Sequence, residues 1–136
     1  MSRHTLPIIL LMAGIFIFAR YGLTGGPEIT PQEVLALLKA TPPPPVIDIR
    51  DRAAFDQSRI AGARPVPLAE LKDKLEALKL PKMDAVIVYD EDDTRVREAT
   101  RLLYESGYQG GLTLKGGLAA WRAAGLPLEK SVVPKP

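Results

Sequence analysis

Six consecutive residues carry the side chains best suited to chemistry in this chain. They are Asp90, Glu91, Asp92, Asp93, Thr94 and Arg95. A carboxylate can act as a nucleophile or a general base, can bind a hard cation such as Mg²⁺ or Ca²⁺, or can accept hydrogen bonds from backbone amides. The chain has no cysteine, and its one histidine, His4, lies near the N-terminus. Chemistry that needs a thiol or an imidazole base is therefore excluded from this segment.

Three roles are open to the segment, which joins an apolar stretch at residues 85–89 to a helical pattern that starts at Val96. The first is structural, since acidic side chains cap helix N-termini and otherwise stay solvated. The second is a divalent-cation site, although the glycine and distal glutamate of a calcium-binding loop are missing. The third is a nest of backbone amides that binds an anion with the help of Arg95, but the neighbouring carboxylates would repel that anion.

The spacing Asp-x-Asp-x-Thr adds a fourth role. Residues 90–94, placed after an apolar strand, resemble the first motif of the haloacid-dehalogenase phosphatases. The resemblance implies that Asp90 is a nucleophile and Asp92 a general acid, with Mg²⁺ shielding the phosphate charge. In that family a basic residue and further acids follow, whereas only 42 residues follow Thr94 here, without a later acidic pair. An enzyme that uses Asp90 to Asp93 with a divalent cation is the alternative function.

The periodicity of apolar residues predicts alternating strands and helices around this segment. Strands are predicted at residues 46–49, 85–89 and 112–114, and helices at residues 68–78, 96–106 and 118–124. A further helix is predicted to start at Thr30, which forms a capping box with Glu33, and residues 60–67 are predicted to be a loop. Short strands that alternate with helices favour a parallel sheet covered by helices. Since ligands bind beyond the carboxyl ends of such strands, the turn after Tyr89 is the expected site.

Three other stretches share a pattern in their order and spacing. They read VIDIR at residues 46–50, RIAGA at 59–63 with VPL at 66–68, and GGLAAW at 116–121 with AGLP at 124–127. Together they resemble a single-domain rhodanese, whose members carry Asp-x-Arg, then His-Ile-x-Gly-Ala with Ile-Pro-Leu, and a closing Gly-Gly-x-x-x-Trp with Gly-x-Pro. The resemblance implies an α/β fold, a rhodanese-like three-layer domain with a central, mainly parallel sheet.

The same resemblance places the family's catalytic loop, a cysteine followed by four residues and an arginine, on residues 90–95. The loop length is kept, but Asp90 stands at the cysteine position, Asp93 at the position of the usual glycine and Arg59 at that of the usual histidine. Family members carry sulfur as a cysteine persulfide, which a carboxylate cannot form. The resemblance therefore implies a pseudoenzyme without sulfurtransferase activity, without a catalytic residue and with no cofactor or metal. Residues 90–95 are then a degenerate active-site loop available for binding.

The N-terminal residues predict a membrane anchor. Residues 6–19 carry no charge, and extension through Arg20 to Leu23 gives about 27 Å of helix against a hydrocarbon core of roughly 30 Å. A cleaved signal peptide or a buried core helix are the alternatives, although no small-x-small cleavage site follows and the stretch has no polar face. We expect a single-pass anchor and joint at residues 1–26, a globular domain at 27–130 and a flexible tail at 131–136. The positive-inside rule slightly favours an extracytoplasmic domain.

The distribution of charged residues along the chain indicates which class of partner to expect. The net charge is +2, but residues 27–136 hold 16 basic and 16 acidic side chains, so no nucleic-acid partner is expected. The acidic loop suits a protein partner with a basic surface. Asp48 and Arg50 are expected to form a structural ion pair or hydrogen bonds at the strand end. Trp121 is expected to lie in the core, and Arg95 and Arg97 are expected to pair with the acids. The predicted function is a membrane-anchored, catalytically inactive binding or scaffolding module.

Overall fold

Five short strands form one parallel sheet in the computed structural model, which describes residues 26–131. The strands are β1 (Glu28–Ile29), β2 (Val46–Asp48), β3 (Arg64–Pro65), β4 (Val86–Tyr89) and β5 (Gly111–Leu114). Their order across the sheet is β1-β5-β4-β2-β3, and all neighbouring strands are parallel. The register sets Asp48 opposite Tyr89 and Val88 opposite Thr113. The predicted α/β fold with a central parallel sheet is confirmed.

Helices cover both faces of the sheet and make the fold three layers deep. They are α1 (Pro31–Leu37), α2 (Arg52–Gln57), α3 (Leu68–Leu78), α4 (Val96–Glu105) and α5 (Gly117–Ala123). Because side chains alternate along a strand, Val86 and Val88 belong to the core cluster shared with α3 and α4. Ile87 and Tyr89 belong to the other cluster, shared with α1 and α5. Trp121 of α5 is buried in this second cluster, as expected.

The two edge strands, β1 and β3, were not predicted from the sequence. Each has two residues, which is too short for an alternating pattern to be visible. The stretch predicted as a loop at residues 60–67 contains β3, whose Pro65 is compatible with an edge position because proline has no amide hydrogen to donate. The helix predicted at residues 118–124 starts one residue earlier, at Gly117.

Local hydrogen bonds fix where two of the helices begin. The side chain of Thr30 accepts a hydrogen bond from the amide of Glu33 at 3.1 Å, as the predicted cap requires. Asp51 does the same for Ala54 at 2.8 Å and starts α2 directly after β2. The turns after β2, β4 and β5 all lie at the carboxyl edge of the sheet, since these strands are parallel neighbours. This edge holds residues 90–95.

The predicted anchor at residues 1–26 falls outside the described residues except for Gly26, and so does the predicted tail beyond Ser131. Between residues 26 and 131, no helix has the length and apolar character needed to cross a bilayer.

Candidate functional site

Asp90 is buried at the start of the loop and is fully engaged by Arg95. Only 2% of the residue is exposed. Its Oδ1 accepts from Arg95 Nη2 at 2.8 Å and its Oδ2 from Arg95 Nε at 3.0 Å. Oδ1 also accepts from the amide of Glu91 at 2.8 Å. The hydrogen bonds to Asp90 raise the pKa of the Arg95 guanidinium above its ordinary value. With both of its oxygens bonded, Asp90 presents no open nucleophile.

Asp92 and Asp93 also accept hydrogen bonds from backbone amides in or near the loop. Asp92 Oδ1 accepts from the amide of Thr94 at 2.8 Å, and Asp93 Oδ1 accepts from the amide of Gly116 at 2.9 Å. Hydrogen bonds from the Thr94 side chain and backbone lower the pKa of Asp92. Both acids are exposed to solvent. Carboxylates therefore satisfy amides that a bound anion would otherwise occupy.

The helix-capping role expected of these acids is not what the structure shows. Helix α4 has Arg95 at its N-cap position, and the Arg95 side chain makes no capping hydrogen bond. The acids instead bond to amides inside the loop and to the turn before α5. They stabilise the loop itself and leave the N-terminus of α4 uncapped by a side chain.

Main-chain contacts hold the loop against α5. The carbonyl of Asp90 accepts from the amide of Leu118, and that of Glu91 accepts from the amide of Ala119, each at 3.0 Å. Gly117 makes this approach possible, because its φ is +63° and a Cβ there would lie 2.6 Å from the Glu91 carbonyl oxygen and 2.7 Å from that of Asp90. The absence of a side chain at Gly117 thus allows the loop to pack against the start of α5.

A network of charged side chains surrounds Glu91. Its Oε2 accepts from Arg50 Nη1 at 3.2 Å, and its Oε1 pairs with Arg122 Nη1. Arg50 also forms the expected buried ion pair with Asp48, with 2.8 Å between Nη2 and Oδ2. Ser58 joins both arginines, since its carbonyl accepts from Arg50 Nη2 at 2.6 Å and its Oγ from Arg122 Nη2 at 3.1 Å. Ser58 and Arg122 could not be identified from the sequence, because their contact with each other joins distant parts of the chain.

Tyr89 lies beneath this network at the end of β4. Its hydroxyl accepts from the amide of Ile60 at 3.2 Å, and the Arg50 guanidinium lies 5.8 Å from its ring centroid. Burial raises the pKa of Tyr89 far above its ordinary value, and the negative charge of Asp48 raises it further. Burial lowers the pKa of Arg50, but the hydrogen bonds and charge of Asp48 outweigh this, so that the pKa lies above the ordinary value. The floor of the site therefore holds a neutral phenol and a permanent cation.

Two other arginines singled out from the sequence have no contact with the acids of the loop. Arg59 donates to the carbonyl of Phe55 at 3.2 Å and to Ser131 Oγ at 2.8 Å, and it lies over the Phe55 ring. The expected salt link of Arg97 was wrong, since Arg97 is exposed and forms no ion pair with any residue in the range 26–131. Of the two arginines that were predicted to pair with the loop acids, Arg95 does so, through Asp90.

Metal chemistry finds little support among the loop carboxylates. Within the described part of the chain, no three histidine, aspartate or glutamate side chains converge on a point that could hold a cation. Asp90 and Glu91 face arginines, and Asp92 and Asp93 bond to different amides. The arrangement therefore does not favour the phosphatase alternative, which needs Asp90 open to phosphorus and a cation beside it. The site is instead a charged surface at the carboxyl edge of the sheet, in which hydrogen bonds hold Asp90, Asp92 and Asp93.

Comparison with known sequences assigns the chain to a protein family. The family model for the rhodanese-like domain matches residues 30–124. The chain is similar to a sulfurtransferase of Allochromatium vinosum, with 31% identity over 83 residues, 61% of this chain and 76% of that protein. It is also similar to the probable adenylyltransferase/sulfurtransferase MoeZ of Mycobacterium tuberculosis, with 29% identity over 96 residues. That match covers 71% of this chain but spans only 24% of the length of MoeZ.

Solved structures agree with the sequence comparison. The solution structure of a rhodanese-like domain from Anabaena superposes with a TM-score of 0.69 and 32% identity, covering 81% of this chain and 86% of that one. A thiosulfate sulfurtransferase from Pseudomonas aeruginosa superposes with a TM-score of 0.71 and 28% identity, covering 91% of this chain and 23% of that protein. The family match covers most of the chain and the fold agrees with it. The chain therefore belongs to the rhodanese-like domain family, and it contains no cysteine in its 136 residues.

Proposed function

We propose that the protein is a catalytically inactive rhodanese-like module that binds a protein partner through residues 90–95. One observation carries the proposal. Asp90, at the start of the loop that follows β4, has both carboxylate oxygens bonded to Arg95. A sulfur carrier needs a thiolate at this position, and the chain has none to supply.

The surface of the loop suggests the chemistry of the partner. Asp92 and Asp93 are exposed, and one carboxylate oxygen of each accepts a hydrogen bond from a backbone amide. Because those hydrogen bonds fix the side chains, the charges are preorganised and binding costs little conformational entropy. A basic protein surface is the complementary partner, and its association should weaken as salt is added.

We also propose that residues 1–26 attach the module to a membrane by a single pass, with the domain on the extracytoplasmic side. The support is the uncharged stretch at residues 6–19, followed by Arg20 and a glycine joint. Attachment would raise the local concentration of the domain for partners at the same membrane. Cell fractionation of the full chain and of a chain lacking residues 2–25 tests the attachment, and protease accessibility in intact cells tests the side. Recovery of both chains in the soluble fraction would contradict the proposal.

A pair of substitutions tests the binding surface without disturbing the loop. In Asp92→Asn with Asp93→Asn, the amide oxygens still accept from Thr94 and Gly116, but two negative charges are removed. The control is Asp73→Asn with Asp84→Asn, which removes the same charge from exposed positions elsewhere. In crosslinking and pull-down from cells, a partner should be lost with the loop variant and kept with the control. Identical partners for both variants at every salt concentration would contradict the proposal.

A further inference from the structure

Two guanidinium groups from different parts of the chain meet at one carboxylate. Arg50 follows β2 and Arg122 lies in α5, and each binds one oxygen of Glu91. Arg50 is buried, with 4% of its side chain exposed. This is the geometry of a site that recognises an anion with several oxygens, filled here by a side chain of the protein itself.

The cationic groups of this site are held in place by contacts that do not involve Glu91. Asp48 and the carbonyl of Ser58 hold Arg50, through Nη2 distances of 2.8 Å and 2.6 Å. The Oγ of Ser58 holds Arg122 at 3.1 Å. Ser58 is itself 92% buried, since its exposed fraction is 8%. Its hydroxyl accepts a hydrogen bond from Arg122, and its own proton is available for donation to a ligand. The site would keep its shape if Glu91 moved away.

The Glu91 side chain can be displaced from the two guanidinium groups. It is 47% exposed, and Arg122 is 39% exposed, so water and salt screen the ion pair between them. The backbone of Glu91 is held separately by Ala119, so the side chain can rotate outward without moving the loop. Asp48 balances the charge of Arg50. The positive charge of Arg122 is then available to attract a ligand anion in place of Glu91.

We propose that Arg50, Arg122 and Ser58 form a binding site for a tetrahedral oxyanion, a phosphate or sulfate group, and that Glu91 occupies this site until the ligand displaces it. A carboxylate offers two oxygens and contacts the two guanidiniums only. A tetrahedral oxyanion offers further oxygens, so that it can bind both guanidiniums and also accept from the Ser58 hydroxyl. This inference does not depend on the proposed function, because the phosphate site uses Arg50, Arg122 and Ser58, whereas partner binding is tested at the exposed acids Asp92 and Asp93.

Inorganic phosphate is the probe, added to the full chain in non-ionic detergent at constant ionic strength. Glu91→Ala empties the site, and Asp73→Ala is the control, since it removes an equal charge from an exposed position of α3 without uncovering an arginine. Binding is measured by calorimetry and by amide chemical shifts. We expect Glu91→Ala to bind phosphate about tenfold more tightly than either the unmodified chain or Asp73→Ala. Glu91→Gln, which removes the charge and keeps the size, should shift the affinity in the same direction.

Two further measurements make the inference falsifiable. Adding Arg122→Gln to Glu91→Ala should abolish the gain, and phosphate should raise the unfolding temperature of Glu91→Ala more than that of the double variant. In the unmodified chain, higher phosphate should shift the amides of Ser58 and Arg122 in a saturable way. Equal affinity of Glu91→Ala and Asp73→Ala would overturn the inference. So would tight binding that survives the loss of Arg122, or an unmodified chain whose Ser58 and Arg122 amides do not respond.

Discussion

Arg95 bonds both oxygens of the Asp90 carboxylate, at 2.8 Å and 3.0 Å, across the mouth of the loop. Asp90 is almost fully buried, whereas half of the Arg95 side chain is exposed. The pair therefore consists of a carboxylate that depends on its partner and an arginine that water can reach.

Arg95→Gln should lower the free energy of unfolding by about 1–2 kcal/mol, because it leaves the buried Asp90 carboxylate without its charged partner. The estimate is at the low end for such pairs, since water reaches the exposed side of Arg95. Urea unfolding at neutral pH is the measurement. Arg97→Gln, on the exposed face of α4, is the control and should stay within about 0.5 kcal/mol of the unmodified chain. Equal effects of the two substitutions would show that the pair contributes nothing specific.

Asp90→Cys supplies the missing thiol but should not by itself produce sulfur transfer. A persulfide anion would face the carboxylates of Asp92 and Asp93, and Asp93 would still hold the amide of Gly116. Adding Asp92→Asn and Asp93→Gly removes both charges and releases that amide, so the triple variant should exceed Asp90→Cys in thiocyanate formation from thiosulfate and cyanide. The unmodified chain should remain at the rate measured without protein. A single variant as active as the triple variant would mean that the acids do not oppose an anion.

Tyr89→Phe should destabilise the fold near neutral pH by about 1–2 kcal/mol, because the buried amide of Ile60 loses its acceptor. The pKa of Tyr89 is raised in the folded chain, so its stabilising effect is complete below the ordinary tyrosine value and is lost as pH rises above about 10. The difference in unfolding free energy between the unmodified chain and Tyr89→Phe should therefore shrink in alkaline solution. A difference that stays constant or grows between neutral and alkaline pH would contradict this expectation.

Gly117→Ala should be far more damaging than Gly125→Ala, although both glycines have positive φ, at +63° and +69°. The backbone conformation costs about 1 kcal/mol for alanine at either site. At Gly117 the new Cβ also meets the carbonyl oxygens of Asp90 and Glu91, whereas at Gly125 there is open space. We expect a total loss of about 3 kcal/mol at Gly117, with amide shifts at residues 90 and 91. Similar losses of unfolding free energy at both glycines would show that the loop can move away from the new Cβ at Gly117 without loss of stability.

The parts of this structure that sequence reasoning found are those determined locally. Thr30 and Glu33 predict a helix start because the cap involves residues three positions apart. Asp48 and Arg50 predict an ion pair because they lie on the same side of a strand end. The position of residues 90–95 at the carboxyl edge followed from the parallel sheet, which the alternating elements predicted.

The parts that sequence reasoning missed depend on contacts between distant residues. The partner of Glu91 is Arg122, which lies 31 positions later, and no periodicity relates the two. Ser58 was missed for the same reason, since its hydroxyl meets Arg122, 64 positions later, only in the folded chain. The loop acids were expected to cap α4, but in the folded backbone Asp92 and Asp93 accept hydrogen bonds from the amides of Thr94 and Gly116 instead.

The hydrogen bonds from Leu118 and Ala119 to the carbonyls of residues 90 and 91 involve main-chain atoms only. These two hydrogen bonds therefore do not depend on which side chains residues 90 and 91 carry. A protein engineer could exchange residue 90 for a foreign reactive group and expect it to emerge at the same spot and in the same direction. The side chain at position 90 can thus be replaced while the main-chain hydrogen bonds between the loop and α5 are kept.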